Sequence, residues 1–380
     1  MLDNLFDVVI AGAGLAGTAM AAVLGRQGWR VALVDPYREC KPAFKAEKIE
    51  PDQAMLFRQL SLLGGVLPHA ARIESVAEAH RGRTLRIRPI EQYGIRYQDM
   101  VNAVRAQIPS GVTQIEARVE GVETSDTTQR VLLGEATLST RLFVMACGTG
   151  GALHKRLELD RHMFREAHSL CSGFDVRHDD ESRFSSSALT YWSERRRERV
   201  GYVTFFPMPG VTRVNLFSYR EARAPWVHEL AQDPVSVIAR AMPRLTRVTG
   251  PWQPTSKVES RPIDLYSVRE PERDGMVLVG DSFQSVCPAT GTGVSKVLTD
   301  VAQLCLTHIP DWLRTPGMSA QKVSQYYADP VKQASDRRSL KSAEHERHFA
   351  TDASLRWRLH REKTFAKIAL AGLGRRHAAN

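Results

Sequence analysis

The residues with the clearest capacity for chemistry lie in a glycine-rich turn near the start of the chain. The run VVIAGAGLAG at 8–17 ends a strand pattern and opens a helix pattern with the spacing GxGxxG. In such a turn the first glycine allows a tight bend, the second lets the backbone approach a pyrophosphate, and the third lets helix pack against strand. An acid ending the next strand can accept hydrogen bonds from ribose hydroxyls. These features predict a dinucleotide site formed by Gly12, Ala13, Gly14, Leu15, Ala16, Gly17 and Asp35.

A second glycine-rich turn lies near the other end of the chain. The strand pattern MVLV ends at Gly280 and Asp281, and a helix pattern follows Gly291. An aspartate here can hold the hydroxyls of a ribityl chain, and a helix N-terminus can stabilise the negative charge that a flavin ring gains on reduction. A simple NAD dehydrogenase needs neither, and Asp35 would repel the 2′-phosphate of NADP. We therefore expect FAD, held at this end by Gly280, Asp281, Gly291, Thr292, Gly293 and Val294.

This second turn resembles the late motif of flavoprotein monooxygenases of the p-hydroxybenzoate hydroxylase type. In that family the motif reads GDAAH, then Pro, then GQGLN, then an Asp one turn further along. The matching residues here are Gly280, Asp281, Pro288, Gly291, Gly293 and Asp300. The positions that depart from the family pattern are Ser282, Phe283, Gln284 and Ser295. The resemblance implies an FAD-dependent hydroxylase in which Pro288 lines the reaction site.

The resemblance also implies cofactor contacts earlier in the chain. The family places a basic residue in a pattern like RAxxL after the first acid, and here Lys45 of KAEKI takes that place, with a plain surface lysine as the alternative. A residue at the start of the next helix should lie near the flavin. The stretch YGIRYQDM offers Arg96 or Tyr97, and we include Arg96 among the expected cofactor residues. The resemblance also implies a strand around Val119 whose backbone contacts the adenine of FAD.

A middle motif departs from the family. There an ADG turn followed by SxxR is linked to flavin and pyridine nucleotide binding, whereas this chain has Cys147 in place of the Asp and His154 in place of the Arg. These changes leave the source of electrons open. The alternatives are that the flavin is reduced by NADH or NADPH bound in a modified mode, by a partner reductase, or by the substrate itself.

The expected reaction is oxygen transfer to an aromatic or other electron-rich substrate, either a small molecule or a carrier-tethered one, in secondary metabolism or cofactor maturation. The resemblance identifies no catalytic base, although His168, Tyr191 and Tyr202 are candidates for the pocket. Cys287 next to Pro288 suggests either a covalent flavin link or a buried structural thiol. The alternatives are a flavin oxidoreductase without oxygen insertion and a protein that binds FAD only to serve as a partner. A halogenase is disfavoured because the signature WxWxIP is missing.

The elements that must position these turns alternate between strand and helix at the two ends of the chain and become antiparallel strands in the middle. We expect an α/β fold in which a Rossmann-like FAD-binding domain carries an inserted, mainly antiparallel β-sheet substrate domain and a helical C-terminal tail. The expected parts are FAD-binding segments at 1–75, 96–160 and 271–320, substrate-domain segments at 76–95 and 161–270, and a basic helical region at 321–380.

Composition limits the remaining function classes. The net charge is +10, of which residues 331–380 contribute +7 (12 Lys and Arg against 5 Asp and Glu). This basic tail is either a solvated helical face or a dock for an acidic partner, an anionic substrate or a membrane surface. No nucleic-acid motif accompanies the charge, and no apolar run is long enough to cross a bilayer. Five scattered cysteines form neither a disulfide framework nor a zinc site, and the N-terminus lacks a signal-peptide pattern, so we expect a cytoplasmic protein.

Overall fold

The computed structural model describes residues 5–45, 47–178, 184 and 186–377, with side chains as far as residue 373. Its strands are, in chain order, β1 Leu5–Ala11, β2 Val31–Asp35, β3 Lys48–Ile49, β4 Ala71–His80, β5 Arg83–Gly94, β6 Thr113–Glu116, β7 Gly121–Glu123, β8 Gln129–Leu133, β9 Ala136–Met145, β10 Arg161–His178, β11 Ser187–Trp192, β12 Val200–Met208, β13 Val211–Ser218, β14 Trp252–Pro254, β15 Glu259–Val268 and β16 Met276–Leu278.

Helices connect and cover these strands. They are α1 Leu15–Arg26, α2 Pro51–Gln59, α3 Leu63–Val66, α4 Tyr97–Arg105, α5 Gly151–Arg156, α6 Pro225–Gln232, α7 Pro234–Ala241, α8 Thr246–Thr249, α9 Gly293–Gln303, α10 Ile309–Leu313, α11 Ala320–Tyr327, α12 Pro330–Thr351 and α13 Leu355–His377, with a π-helical turn at Leu304–His308 between α9 and α10. Among the described residues, no helix combines the length and apolarity that a membrane span requires.

The first sheet carries the predicted strand–helix–strand unit at the start of the chain. Its strands follow the order β6-β2-β1-β9-β8-β7, with β16 beside β9, and β1 pairs in parallel with both β2 and β9. Val8, Val9 and Ile10 are fully buried, as continuous apolar runs are in parallel strands that are covered on both faces. The carboxyl ends of β1 and β2 therefore meet at one edge, where ligands of such sheets bind.

The second sheet is built mainly from the middle of the chain, as predicted. Its order is β14-β10-β13-β12-β11-β4-β5-β3, with β15 beside β10, and most of its pairs are antiparallel. The exception is β11, which pairs in parallel with β4. Strand β4 runs across residues 75 and 76, so the domain boundary expected there falls within a strand rather than in a linker.

Two helical segments differ from the sequence pattern or extend it. The sequence over 51–64, with Pro51 at its start and Gly64 at its end, predicts one helix. The structure divides it, because Ser61 adopts φ 56° and turns the chain between α2 and α3. The predicted helical tail is present and packs on the body of the protein. Helix α12 packs against α9 and against β12 of the second sheet. Helix α13 packs against β5, and its Phe365 stacks on His80 at the end of β4 with ring centroids 4.0 Å apart.

Candidate active site

A large cleft opens where the carboxyl ends of the parallel strands face the second sheet. Its volume is about 1420 Å³, which exceeds the range of about 300–1,000 Å³ typical of a site for one small ligand. Residues from both glycine-rich turns line it, together with side chains of β10, β11, β12 and β13. The cleft is thus large enough for a dinucleotide and a second, smaller molecule side by side.

The first glycine-rich turn is shaped by contacts that only glycine permits. Gly12 adopts φ +101°, and a Cβ atom built on it would lie 2.6 Å from the carbonyl oxygen of Ala146. A Cβ on Gly17 would lie 1.8 Å from the carbonyl oxygen of Gly12. At Gly14, by contrast, the nearest atom would be the Tyr97 hydroxyl at 3.3 Å, on the open side of the turn. The turn is therefore packed tightly against other backbone atoms at Gly12 and Gly17 and is open to the cleft at Gly14, which is the shape that a pyrophosphate-binding turn requires.

The predicted residues of this turn divide into two sets. The residues that line the cleft are Gly12, Gly14, Leu15, Ala16 and Asp35, whereas Ala13 and Gly17 lie behind the cleft wall. The carboxylate of Asp35 accepts hydrogen bonds from the N–H of Ala13 at 2.7 Å and from the N–H of Tyr37 at 2.9 Å. Asp35 thereby fastens the turn to the end of β2 while remaining at the cleft surface.

The choice between Arg96 and Tyr97 is clear in geometric terms. Arg96 forms an ion pair with Asp175 at 2.8 Å and does not line the cleft, which departs from our expectation for this residue. Tyr97 lines the cleft, and its hydroxyl accepts the N–H of Leu15 at 3.3 Å. Burial raises the pKa of Tyr97 to about 12, so this hydroxyl stays neutral. The residue that meets the first turn is therefore Tyr97.

Lys45 reaches the same region of the cleft from the other side. Its ammonium lies 4.8 Å from the centre of the Tyr97 ring, a cation–π contact. The side chain of Lys45 is in contact with solvent in the cleft. Partial loss of water to the cleft walls lowers the pKa of Lys45, and the positive charge of Arg261 lowers it further, whereas the carboxylate of Asp281 raises it. Ala46, the next residue of that motif, lies outside the described residues. Val119 also lines the cleft, but it sits in the connection between β6 and β7 and not in a strand as expected.

The second glycine-rich turn faces the first across the cleft. Asp281, Gly291, Thr292, Gly293 and Val294 line it, as does Pro288. The carbonyl oxygen of Asp281 accepts a hydrogen bond from the hydroxyl of Tyr266 at 2.6 Å, so its carboxylate is left for the cleft. Gly293 and Val294 begin helix α9, so the N-terminus of this helix points into the cleft.

Gly280 lies behind this wall and anchors the turn. It adopts φ +59°, and its N–H donates to the carboxylate of Asp300, which is fully buried. Burial alone would raise the pKa of Asp300, but the ammonium groups of Lys296 and Lys332 outweigh burial and hold it below its usual value. Asp300, the final aspartate of the family motif, is thus part of a buried charge cluster that holds the turn at Gly280 in place.

The departures in the middle motif have structural explanations. The thiol of Cys147 lines the cleft and donates to the carbonyl oxygen of Ala11 at 3.3 Å, and burial raises its pKa to about 12. His154 links two parts of the cleft wall, because its Nε2 donates to the carbonyl oxygen of Ser282 at 2.7 Å and its Nδ1 accepts from the guanidinium of Arg161 at 2.7 Å. Burial lowers the pKa of His154, so it is a neutral structural link.

Arg161, at the start of β10, is a cleft residue that the sequence patterns did not reveal. Its guanidinium lies 4.6 Å from the centre of the Tyr266 ring and 2.7 Å from Nδ1 of His154. It thus brings a permanent positive charge to the cleft wall. In the family motif the arginine stands several residues earlier in the sequence, at the position that His154 occupies here. Its only signal in the sequence is a basic residue that begins a strand.

The far end of the cleft, beyond Pro288, is walled by aromatic side chains. Phe217 and Tyr202 line it, and the hydroxyl of Tyr202 donates to the carbonyl oxygen of Ala289 at 2.6 Å. Of the other pocket candidates, Tyr191 is buried and hydrogen bonds to Glu194, and His168 is buried beside Tyr219; neither lines the cleft. Among the three, only Tyr202 lies where a substrate would contact it.

Cys287 and helix α12 complete this end. Cys287 is fully buried behind the wall, 3.3 Å from the hydroxyl of Ser169, and burial raises its pKa to about 11. This placement favours the buried thiol of the two interpretations given above. From α12, Arg338 and Glu346 line the cleft, and neither stood out in the sequence.

The comparison with protein families decides the nature of this site, since the family described as FAD binding domain matches residues 6–307. The chain belongs to this family. It is an FAD-dependent monooxygenase of the class A flavoprotein hydroxylase type, and FAD is its cofactor. The glycine cradle, the carboxylate of Asp35 and the aimed N-terminus of α9 fit the phosphate, ribose and ring portions of that cofactor.

Individual relatives agree with this assignment. A 6-hydroxynicotinate 3-monooxygenase from Bordetella bronchiseptica is 24% identical over 326 residues, which cover 78% of this chain and 81% of the relative. Among solved structures, p-nitrophenol 4-monooxygenase PnpA from Pseudomonas putida superposes with a TM-score of 0.77 at 16% identity, covering 97% of this chain and 94% of PnpA. The halogenase PltM gives a TM-score of 0.72 at 15% identity over 91% of this chain and 77% of its own. These superpositions show a shared fold.

Proposed function

We propose that this monooxygenase hydroxylates a small aromatic substrate bound at the far end of the cleft, beyond Pro288. The observation that carries the proposal is the aromatic wall of Tyr202 and Phe217, which faces the space next to the α9 N-terminus. Flat apolar walls with a few polar groups are typical of sites for aromatic ligands. A named relative that acts on a hydroxylated heteroaromatic acid supports the same substrate class.

We propose that the residues divide the work between cofactor and substrate. The first turn, with Gly12, Gly14 and Tyr97, would hold the pyrophosphate end of FAD, and Asp35 the ribose. Asp281 and the amides at the start of α9 would hold the ribityl chain and the ring. When bound and reduced, FAD supplies the activation of O₂. The second sheet, over 161–270 with 76–95, would act as the substrate domain that orients the ring and excludes water.

A labelled-oxygen experiment tests the function. The FAD-loaded protein is incubated with NADH or NADPH, isotopically labelled O₂ and a panel of p-nitrophenol, phenol and 6-hydroxynicotinate. Mass spectrometry should find one labelled oxygen atom in a product. Consumption of reductant with release of hydrogen peroxide but no labelled product from any of the three would contradict hydroxylation of this substrate class.

A flavin oxidoreductase without oxygen insertion is the second candidate, and one observation favours it. Cys147 and His154, which replace the family residues linked to pyridine nucleotide use, are both committed to backbone hydrogen bonds inside the protein. Anaerobic mixing separates the two functions. Rapid loss of the flavin absorbance with NADH or NADPH supports the monooxygenase cycle, whereas reduction by a candidate substrate alone supports the oxidoreductase.

A carrier-tethered substrate and an acidic partner are further proposals about the basic tail. Several of its charges are engaged internally, because Lys332 is buried between Asp300 and Asp336 and Arg361 donates to the carbonyl of Phe349. Arg356, Lys363 and Lys367 are among the exposed cations of α13 that a partner could contact. Replacing these three by Gln should weaken turnover of an acidic carrier-linked aromatic while turnover of the free aromatic stays unchanged.

We also propose a cytoplasmic location. All five cysteines are free thiols. Unpaired cysteines are typical of a reducing compartment. Cell fractionation with an antibody to the protein tests this, and recovery in a secreted or periplasmic fraction would contradict it.

A further inference from the structure

Helix α12 forms a wall of the cleft next to the proposed ring-binding turn at the start of α9. It packs against β12 and against the turn Pro288–Thr290. Ala343 of α12 belongs to the same apolar cluster as Phe217 and Ala289, with Tyr202 packed against it. Glu346 follows Ala343 by three residues, which places it on the same face of the helix. Its half-buried side chain lines the cleft beside this aromatic wall.

The carboxyl group of Glu346 has no hydrogen bond or ion pair with any of the side chains that the structure describes. A buried or half-buried carboxyl group normally has such a partner, because an unpaired one loses water without compensation. The oxygen atoms of Glu346 can instead reach the interior of the cleft. The geometry is that of a proton acceptor whose partner is the ligand.

The groups that face Glu346 from neighbouring elements carry no balancing charge. Tyr202 of β12, Tyr219 after β13 and Cys287 before the Pro288 turn all lie close enough to influence it, and burial keeps each of them neutral by raising its pKa. Arg347, the adjacent cation on α12, donates to the carbonyl of His168 and lies over the ring of Tyr219. Burial raises the pKa of Glu346 itself to about 7, so both protonation states are present near neutral pH.

We infer that Glu346 is the general base of the oxygenation site and that its partner is a hydroxyl group on the aromatic ring of the substrate. This inference rests on the function proposed above. The Glu346 carboxylate removes the proton from the ring hydroxyl, which leaves the electron pair on the substrate oxygen and makes the ring more electron-rich. One atom of O₂ then replaces a ring hydrogen, the other leaves as water, and reduced FAD supplies the two electrons. The hydrogen displaced from carbon leaves as a proton, and Glu346 returns its own proton to the product oxygen.

A general base suits this position because oxygen transfer needs an anionic ring only while the ring faces the flavin. A base whose pKa is near the working pH is the most effective proton acceptor, and such groups typically contribute about 10²–10⁴-fold in rate. Tyr202 cannot take this role, since its hydroxyl is neutral and already donates to Ala289.

Binding of p-nitrophenol to the FAD-loaded protein tests the inference without turnover. At about pH 8.5 both p-nitrophenol and Glu346 are ionised when apart, and two adjacent anions disfavour the complex unless one proton is taken up. Calorimetry in two buffers of different ionisation enthalpy should therefore report uptake of about one proton by the wild type. Glu346→Gln should report none, and Glu344→Gln, which changes an exposed carboxylate two residues earlier on α12, should behave as the wild type.

The outcomes separate this inference from the proposed function. Equal proton uptake by Glu346→Gln and wild type, no uptake by the wild type, or no binding of p-nitrophenol to it, would each overturn the inference. In turnover of phenol, whose hydroxyl is not ionised near neutral pH, the wild-type kcat/KM should rise with pH through about 7, and Glu346→Gln should lose this rise and fall at least about 100-fold while hydrogen peroxide increases. If proton uptake depends on Glu346 but no labelled product forms, the proposed function fails and the assignment of the proton acceptor stands.

Discussion

The N–H of Gly280 donates to Oδ2 of Asp300 at 2.9 Å, and through this bond a residue of helix α9 holds the turn that carries Asp281. Asp300 also lies 3.2 Å from the ammonium of Lys296 and 3.4 Å from that of Lys332. The cofactor turn therefore depends on a fully buried set of charges that contributes no atom to the cleft surface.

Asp300→Asn should destabilise the protein strongly. The substitution keeps the shape of the side chain but leaves the two buried ammonium groups of Lys296 and Lys332 with only one shared carboxylate, that of Asp336. Loss of one partner of a buried ion pair costs about 3–5 kcal/mol. Urea unfolding followed by tryptophan fluorescence measures the loss. Asp311→Asn is the matched control, because its ion pair with Arg314 is largely exposed and should change stability by no more than about 0.5 kcal/mol. Similar losses in both variants would contradict the structural role of the cluster.

Gly17→Ala should abolish FAD binding and lower the yield of folded protein. The added methyl group would overlap the carbonyl oxygen of Gly12, so α1 has to move away from the turn. Gly64→Ala is the control, since a Cβ atom there meets nothing within 4 Å and its backbone is helical. The ratio of flavin to protein absorbance after purification reports the result. Normal FAD content in Gly17→Ala would show that the turn tolerates a wider spacing.

Asp281→Ala should reduce FAD retention while the protein still folds, because the side chain faces the cleft and forms no ion pair with a described residue. A lost hydrogen bond to a charged group is worth about 1.5–3 kcal/mol, which corresponds to FAD binding weaker by about 10- to 150-fold. Titration of the apoprotein with FAD, followed by flavin fluorescence, gives the affinity. Asp160→Ala, which removes an exposed carboxylate that does not line the cleft, should bind FAD as the wild type does. Unchanged affinity in Asp281→Ala would remove this residue from the cofactor site.

Glu346→Gln should stabilise the ligand-free protein at alkaline pH. The folded-state pKa of Glu346 is about 7, above its usual value, so the folded protein holds the proton more tightly than the unfolded chain. Stability from this group is therefore fully present at low pH and is lost as the pH rises toward 7 and beyond. The difference in melting temperature between Glu346→Gln and wild type should grow in favour of the variant from about pH 5 to about pH 8. A constant difference over that range would contradict the raised pKa.

The local parts of this fold could be predicted from the sequence, and the parts that depend on distant contacts could not. The first glycine turn and Asp35 are set by a short strand–helix–strand unit whose spacing is visible along the chain. Arg96 and Tyr97 are adjacent residues at a helix start, and only the packing of α4 against α1 determines which one meets the first turn. The break at Ser61 was hidden because its neighbours continue the apolar pattern of a helix.

Glu346 was beyond reach of the sequence for a different reason. It lies in a helix rich in charged residues, where one more glutamate has no distinguishing neighbour. Its role depends on α12 crossing from α9 to the sheet and on the apolar surroundings that this packing creates. Burial of a single carboxyl group is a property of the assembled fold and has no counterpart in spacing or composition.

The crossing of α12 also sets when the enzyme is completed during its synthesis. The first glycine turn leaves the ribosome early, but β16, α9 and α12 come from the last third of the chain, and they supply the opposite walls of the cleft. A nascent chain therefore has half a cofactor site until synthesis is nearly finished. Messages truncated before α12 would yield chains that expose the aromatic wall, and such chains are natural clients for chaperones and proteases.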